Sequence, residues 1–125
     1  DAIVDLARTL GRHNDLVLRD RLARVLTDLE CLRLHSMHVL TQVEQGRDLG
    51  FEASMTKLIW SETFQDLWEV YDDLLGEAAT LDAVDEVDLR PLHAQALWSR
   101  SVTIWGGSSQ VQRNVTAERV LGLPR

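Results

Sequence analysis

The segment with the clearest chemical potential is Gly106-Gly107-Ser108-Ser109-Gln110. Two glycines and two hydroxyl side chains precede a stretch with helical periodicity, and Arg113 follows within one turn. The first amides of a helix lack intrahelical partners, and together with the helix dipole they favour an anion. A phosphate-bearing ligand can therefore dock at this predicted helix start. A capped helix start without a ligand is the commoner occurrence, so the pattern alone leaves both interpretations open.

A second cluster combines Cys31, His35 and His38. Side chains at i, i+4 and i+7 share a helix face, so the three could converge on one metal ion. No carboxylate at a matching position completes a tetrahedral set, and imidazoles and a thiol beside a core stripe are ordinary packing. We therefore predict no metal site.

Paired carboxylates occur at Asp72-Asp73 and at Asp85-Glu86. Adjacent residues on a helix or loop point apart, so neither pair holds one proton between its carboxyl groups. We predict that both pairs are solvated. The sequence also has no Ser-His-Asp order, no Gly-rich phosphate loop after a strand and no Glu-x-x-His pair, so it predicts no catalytic residue.

Composition limits the class of partner. The 125 residues include 13 Lys and Arg against 20 Asp and Glu, a formal net charge of −7. Nucleic acids and anionic lipid surfaces require clustered basic residues, and the longest uncharged stretches are too short and too polar to cross a bilayer. The single cysteine excludes an internal disulfide framework. We expect a cytoplasmic protein that binds neither nucleic acid nor membrane.

Apolar spacing predicts helices along the whole chain. Spacings of three and four from Asp15 predict a helix of about 30 residues, or about 45 Å. Its predicted inward residues are Leu18, Leu22, Val25, Leu29, Leu32, Val39 and Val43. A helix of that length needs several long neighbours or a second molecule beside it. A second long helix follows Gly50 and ends at Gly76.

The remaining segments predict one acidic loop and two shorter helices. Residues 77–88 carry five acidic and no basic side chains, which indicates a solvated loop ending in Asp88 as an N-cap. The helix after it is expected to reach Gly106. Ser109 followed by Gln112 predicts a capping box for the last helix, with Ser108 available just upstream. The predicted inward residues of this helix are Val111, Val115 and Leu121.

No segment alternates for long enough to make a strand, so the expected fold class is all-α. We predict an up-and-down four-helix bundle with a short leading helix, formed by residues 1–125 as one domain. The chain opens at Asp1 without Met and directly within an apolar pattern. We therefore expect it to be a fragment of a larger chain.

Several stretches resemble one protein family. The tail TIWGGSSQVQRN (103–114), followed by AERVLGLPR (117–125), closely resembles the C-terminus of the flavin-dependent acyl-CoA dehydrogenases. ASMTKLIWSE (53–62) is similar to that family's Ala-Ser-x-x-Lys-x-x-x-Ser-Glu helix, and Leu74-Leu75-Gly76 stands where the family has a Leu-Gly-Gly turn. The resemblance implies the family's C-terminal helical domain, from an enzyme that removes hydrogens from Cα and Cβ of an acyl-CoA thioester and passes electrons to FAD.

The resemblance also implies site residues and partners. Ser108 and Gln110 match the family's flavin-contacting Thr/Ser-x-Gln, with Ser109 between them, and this strip is expected to face a neighbour's FAD. The family's Arg-x-x-Phe-Gly places its arginine on Ala7, which leaves Arg8 as an adjacent substitute. Expected partners are the acyl-CoA substrate, other subunits in a homo- or hetero-oligomer (dimer or tetramer) and an electron-transfer acceptor.

Departures from the family pattern support a second hypothesis. Many members carry their catalytic glutamate where this chain has Gly106, and Asp73 and Glu77 replace a glutamine and a glycine. An acidic residue at Glu77 would repel a pyrophosphate. Two alternatives follow. Either the chain belongs to a catalyst whose base lies elsewhere, or it is a non-catalytic helical assembly subunit or module of a heteromeric dehydrogenase.

Overall fold

The computed structural model describes residues 2–124 and shows the predicted all-α fold with a short leading helix. Its helices are α1 (Ala2–Thr9), α2 (Leu16–Glu44), α3 (Glu52–Leu75), α4 (Arg90–Val102) and α5 (Ser109–Leu121). Two 3-10 turns occupy Arg12–Asn14 and Gly76–Thr80. Helix α3 is the central element, because it packs against α2, α4 and α5.

Helix α2 confirms the predicted long helix. Its 29 residues begin after the N-cap Asp15, whose carboxylate accepts hydrogen bonds from the amides of Val17 and Leu18 at 3.0 and 3.2 Å. The Leu18 amide and the Arg12 guanidinium lower the pKa of Asp15, so the cap is charged at neutral pH. Of the predicted inward residues, Leu29 and Val43 are exposed. Much of the distal half of α2 is therefore left uncovered by this chain.

The core lies where α3 meets α1 and the start of α4. Tyr71 is fully buried, and its hydroxyl lies 3.1 Å from Nδ1 of His93. Nε2 of His93 lies 2.9 Å from the carbonyl oxygen of Leu81. Because a carbonyl only accepts, Nε2 carries the proton and Nδ1 accepts from the tyrosine hydroxyl. These two bonds tie the segment before α4 to the core.

Because the pKa of Tyr71 is raised, we expect the free energy of unfolding to fall at alkaline pH. Burial, with a smaller contribution from Asp72, raises its pKa to about 12. The unfolded chain releases this proton near pH 10, so the stabilisation is complete below pH 10 and is lost as pH rises towards 12. Tyr71 is the single tyrosine, so tyrosinate absorbance reports it directly. We expect a titration midpoint near pH 12 in the folded chain and near 10 in urea; equal midpoints would contradict this.

The acidic segment is more ordered than predicted. Within it, β1 (Ala83–Val84) and β2 (Val87–Asp88) form an antiparallel hairpin that pairs Ala83 with Asp88 and Val84 with Val87. The expectation of a plain loop was wrong, because strands of two residues are too short to show alternation. The N-cap of α4 is the fully buried Leu89, not Asp88, whose carboxylate accepts from the Arg90 amide at 3.0 Å.

The last helix also differs from the prediction. Helix α4 ends at Val102, and a turn occupies 103–107. The N-cap of α5 is Ser108, the upstream alternative, so the predicted Ser109–Gln112 capping box is wrong. Val111 and Leu121 are 50% and 68% exposed and Val115 is half-buried, because α5 lies at the edge of the fold and packs mainly against α3.

Candidate functional site

The loop between α4 and α5 is shaped by two glycines. Gly106 and Gly107 have φ values of 68° and 95°, a region that favours glycine. A Cβ on Gly107 would lie 2.5 Å from Nε2 of Gln112, which itself donates to the Gly106 carbonyl oxygen at 3.0 Å. Ser108 then caps α5 by accepting from the Val111 amide at 3.4 Å.

A cavity of about 350 Å³ opens at this helix start. Its lining residues come from α3, the loop and α5: Glu62, Gln65, Thr103, Ile104, Ser108, Ser109, Gln110 and Arg113. Ser109 is 8% exposed, and its hydroxyl has no hydrogen-bond partner within residues 2–124. Ser108 is half-buried and Gln110 is exposed. The structure thus brings all three predicted residues of this strip to one cavity, with an unused donor in its wall.

Helix α3 holds the loop in place through residues for which the sequence suggested no role. Nζ of Lys57 donates to the Val102 carbonyl oxygen at 2.7 Å. Nε2 of Gln65 donates to the Thr103 hydroxyl at 3.0 Å. Arg113 of α5 pairs with Glu62. One indication that two of these residues matter is present in the sequence, because Lys57 and Glu62 lie in the 53–62 stretch that is similar to the family's Ala-Ser-x-x-Lys-x-x-x-Ser-Glu helix.

The segment that matches the family's Arg-x-x-Phe-Gly, residues 7–11, lies at the end of α1 and in the turn after it. We call it the second strip. Arg8 is exposed and pairs with Asp5 at 2.8 Å, whereas Ala7 is buried. The contact with the predicted glycine turn is made by Arg12, whose Nη1 donates to the carbonyl oxygens of Asp73 and Leu74 at 2.7 and 3.1 Å. Arg12 therefore joins the leading segment to the C-terminus of α3, where a cation also suits the helix dipole.

A basic cavity of about 480 Å³ lies beside this strip, and Arg8, Arg12, His13 and Arg19 contribute to its lining. It is a different cavity from the one at the start of α5. Glu62 lines the first cavity, and Arg12 reaches Asp73, eleven residues further along α3, or about 16 Å at 1.5 Å per residue. Arg8 and the Ser108–Gln110 strip therefore belong to two separate regions of the surface.

The contacts of Arg12 lead us to expect a measurable loss of stability when it is replaced. Replacing it with alanine removes two bonds to carbonyl oxygens and the 3.0 Å ion pair with Asp15. We expect Arg12→Ala to lower the free energy of unfolding by about 1–2 kcal/mol. Urea denaturation measures this, with Arg8→Ala as the matched control because Arg8 makes one exposed ion pair. An equal effect of the two variants would contradict the role of Arg12.

The other clusters do not form a reactive site. No three His, Cys, Asp or Glu side chains in the described range lie close enough to share a metal ion. The prediction that Asp72 and Asp73 are only solvated is incomplete, since Asp73 pairs with Arg21, and Asp72 lies 3.6 Å from Arg100. None of the helices in residues 2–124 combines the length and apolarity needed to span a membrane.

Comparison with known proteins shows what this fold and loop belong to. The family described as Acyl-CoA dehydrogenase, C-terminal domain, matches residues 4–121. The chain belongs to the acyl-CoA dehydrogenase family. The comparison with solved structures gives no significant match.

The curated relatives carry the same family name. Acyl-CoA dehydrogenase IpdE1 of Mycolicibacterium smegmatis is 36% identical over 124 residues, which cover 98% of this chain and 30% of the relative. IpdE1 of Mycobacterium tuberculosis is 36% identical over 126 residues, covering 98% and 31%. Acyl-CoA dehydrogenase FadE34 of Mycobacterium tuberculosis is 31% identical over 122 residues, covering 97% and 16%. The chain spans less than a third of each relative.

The contacts of the 53–62 motif show what it does in this member of the acyl-CoA dehydrogenase family. In this chain its lysine, Lys57, fixes the end of α4, and its glutamate, Glu62, fixes α5. Its serine, Ser61, is fully buried and bonds to the Leu58 carbonyl oxygen at 3.2 Å. The motif therefore supports the α4–α5 loop from the side of α3, and its Glu62 also lines the cavity beside that loop.

Proposed function

We propose that the chain is the C-terminal domain of a longer subunit, called here the parent subunit, of an FAD-dependent acyl-CoA dehydrogenase. The parent subunit would catalyse α,β-dehydrogenation of an acyl-CoA thioester and pass the electrons to an external acceptor in the cytoplasm. The domain would contribute to subunit association and to part of the FAD site. Its family membership and the cavity at the start of α5 support this proposal.

The unpartnered Ser109 hydroxyl is the observation that carries the flavin proposal. A buried hydroxyl without a partner is costly, and each such group in a folded protein calls for an explanation. A dinucleotide supplies phosphate and ribose oxygens, which accept from hydroxyl, amide and helix N-terminal donors. The donor set at this cavity therefore fits FAD, with Ser108 and Gln110 beside the unpartnered group.

Each residue of the strip has a separate task in this proposal. Gln110, being exposed, offers an amide that both donates and accepts. Ser108 fixes the first turn of α5, and the buried Ser109 hydroxyl would turn to donate to the ligand. Arg8 is proposed to contact FAD from the second, separate basic region of the surface. FAD supplies the acceptor for the substrate hydride when it is bound.

The chain contributes no catalytic base. Gly106 stands where many members have their glutamate, and its φ of 68° suits glycine. A carboxylate from elsewhere in the parent subunit would remove the α-proton. The same glycine favours the second candidate, a non-catalytic subunit of a hetero-oligomer.

Purification of the parent subunit tests these two candidates. Stoichiometric yellow flavin that is bleached by an acyl-CoA thioester supports the enzyme. A colourless protein that still assembles supports the non-catalytic subunit and contradicts the flavin proposal.

A further inference from the structure

One face of α2 carries a seam with a repeat of three and a half residues. Its positions alternate spacings of four and three along the helix, and all are exposed in this chain: Arg19, Ala23, Leu26, Glu30, Arg33, Met37, Leu40 and Glu44. We call these eight residues the α2 seam. This spacing is the one at which two helices pack side chains into each other's gaps along their full length.

The seam is complementary to itself when two copies run antiparallel. We place a two-fold axis between positions 31 and 32. Each seam residue of one copy then faces a seam residue of the second copy, and the two residue numbers add up to 63. Leu26 then faces Met37 of the second copy, and Ala23 faces its Leu40. Arg19 faces Glu44 of the second copy, and Glu30 faces its Arg33. Every apolar layer is matched by an apolar residue and every charge by its opposite.

Other arrangements lose this match. In a parallel pair, Arg19, Glu30, Arg33 and Glu44 would each face their own copy, which is repulsive. An antiparallel pair shifted by seven residues would place Arg33 against Ala23 or Met37. The pattern of charge thus selects both the direction and the register of the pair.

The structure leaves the seam free to pair. Arg33 is held by Glu30 in the same helix through bonds of 2.8 and 2.6 Å, and its Nη1 lies 3.1 Å from Sδ of Met37. Two such pairs would meet at the two-fold axis as an alternating group of four charges. At the other end, Leu26 is 52% exposed and Ala23 is also exposed, so α1 does not cover this part of the seam.

We propose that α2 pairs antiparallel with α2 of a second copy of this chain, in the register that places Leu26 against Met37. The inference deepens the subunit association of the proposed function and names its surface, direction and register. It does not depend on flavin binding.

Paired cysteine variants of the parent subunit test the register. In a background with Cys31→Ser and the parent's other cysteines replaced, Leu26→Cys and Met37→Cys subunits are purified separately and as a co-expressed mixture. A short bifunctional thiol reagent should link the mixture and neither variant alone, because two copies of position 26 lie roughly 16 Å apart along the axis. Thr27→Cys mixed with Ser36→Cys is the matched control, since the sum is again 63 but both positions lie off the seam.

Charge reversal provides a second measurement. Arg33→Glu should weaken association of the subunits about tenfold, and Glu30→Arg combined with Arg33→Glu should restore it. The control is the same exchange at Asp20 and Arg24, an exposed ion pair of α2 outside the seam, which should leave association unchanged. Circular dichroism confirms that each variant keeps its helices.

The outcomes separate this inference from the flavin proposal. Linking of Leu26→Cys alone would show a parallel pair, and absence of linking in the mixture would show another partner or none; either result overturns the inference. Flavin absorbance is read on the same samples. Linked but colourless subunits would overturn the flavin proposal and leave the α2 pairing standing.

Discussion

Replacing Gln110 with alanine is expected to lower the affinity of the parent subunit for FAD about tenfold. One hydrogen bond contributes about 1–1.5 kcal/mol, which corresponds to a factor of about ten. Gln110 is exposed at the start of α5 and makes no bond that holds the fold within the described residues. Helicity should therefore be unchanged. Equilibrium titration of the flavin-free parent with FAD measures the loss.

The matched control for this variant is Gln95→Ala, because Gln95 is an exposed glutamine on α4 that does not line the cavity. It should bind FAD as the unaltered subunit does. If Gln110→Ala bound FAD with unchanged affinity, Gln110 would not be part of the flavin site.

The second large effect is expected from Lys57→Met. Lys57 is the only lysine of the chain, and its ammonium group binds the carbonyl oxygen of the fully buried Val102. Removing a charged donor leaves that carbonyl unsatisfied, so we expect the free energy of unfolding to fall by about 2–3 kcal/mol. The loop before α5 should also lose its anchor, which would weaken FAD binding.

Urea denaturation and FAD titration of the same variant measure both effects. Arg24→Met is the control, because Arg24 is an exposed cation whose ion pair within residues 2–124 is with Asp20 of its own helix. Lys57→Arg should recover part of the stability, since it keeps a charged donor. A Lys57→Met variant as stable as the Arg24→Met control would contradict the anchoring role.

The helices could be predicted from the sequence because their signals are local. The apolar spacing that starts at Asp15 and the glycine at 76 indicate where α2 begins and where α3 ends. Burial was harder to predict, because it depends on which helix faces which. Val111 and Leu121 look inward by spacing but lie on a helix at the edge of the fold.

The candidate site shows the same division. Ser108 and Gln110 could be found from the loop pattern and the family resemblance, since both are written in consecutive residues. Arg12 and Lys57 could not be assigned roles, because their partners at 73–74 and 102 are brought near only by the fold. The resemblance pointed to Arg8, but tertiary contact gives the position beside the glycine turn to Arg12.

Hydrogen exchange of the parent subunit tests the central claim most directly. Adding FAD to the flavin-free protein should protect the amides of residues 108–113 and leave those of residues 36–42, in the distal half of α2 and away from both cavities, unchanged. Saturation with FAD without added protection at 108–113 would show that the dinucleotide binds elsewhere and would contradict this account.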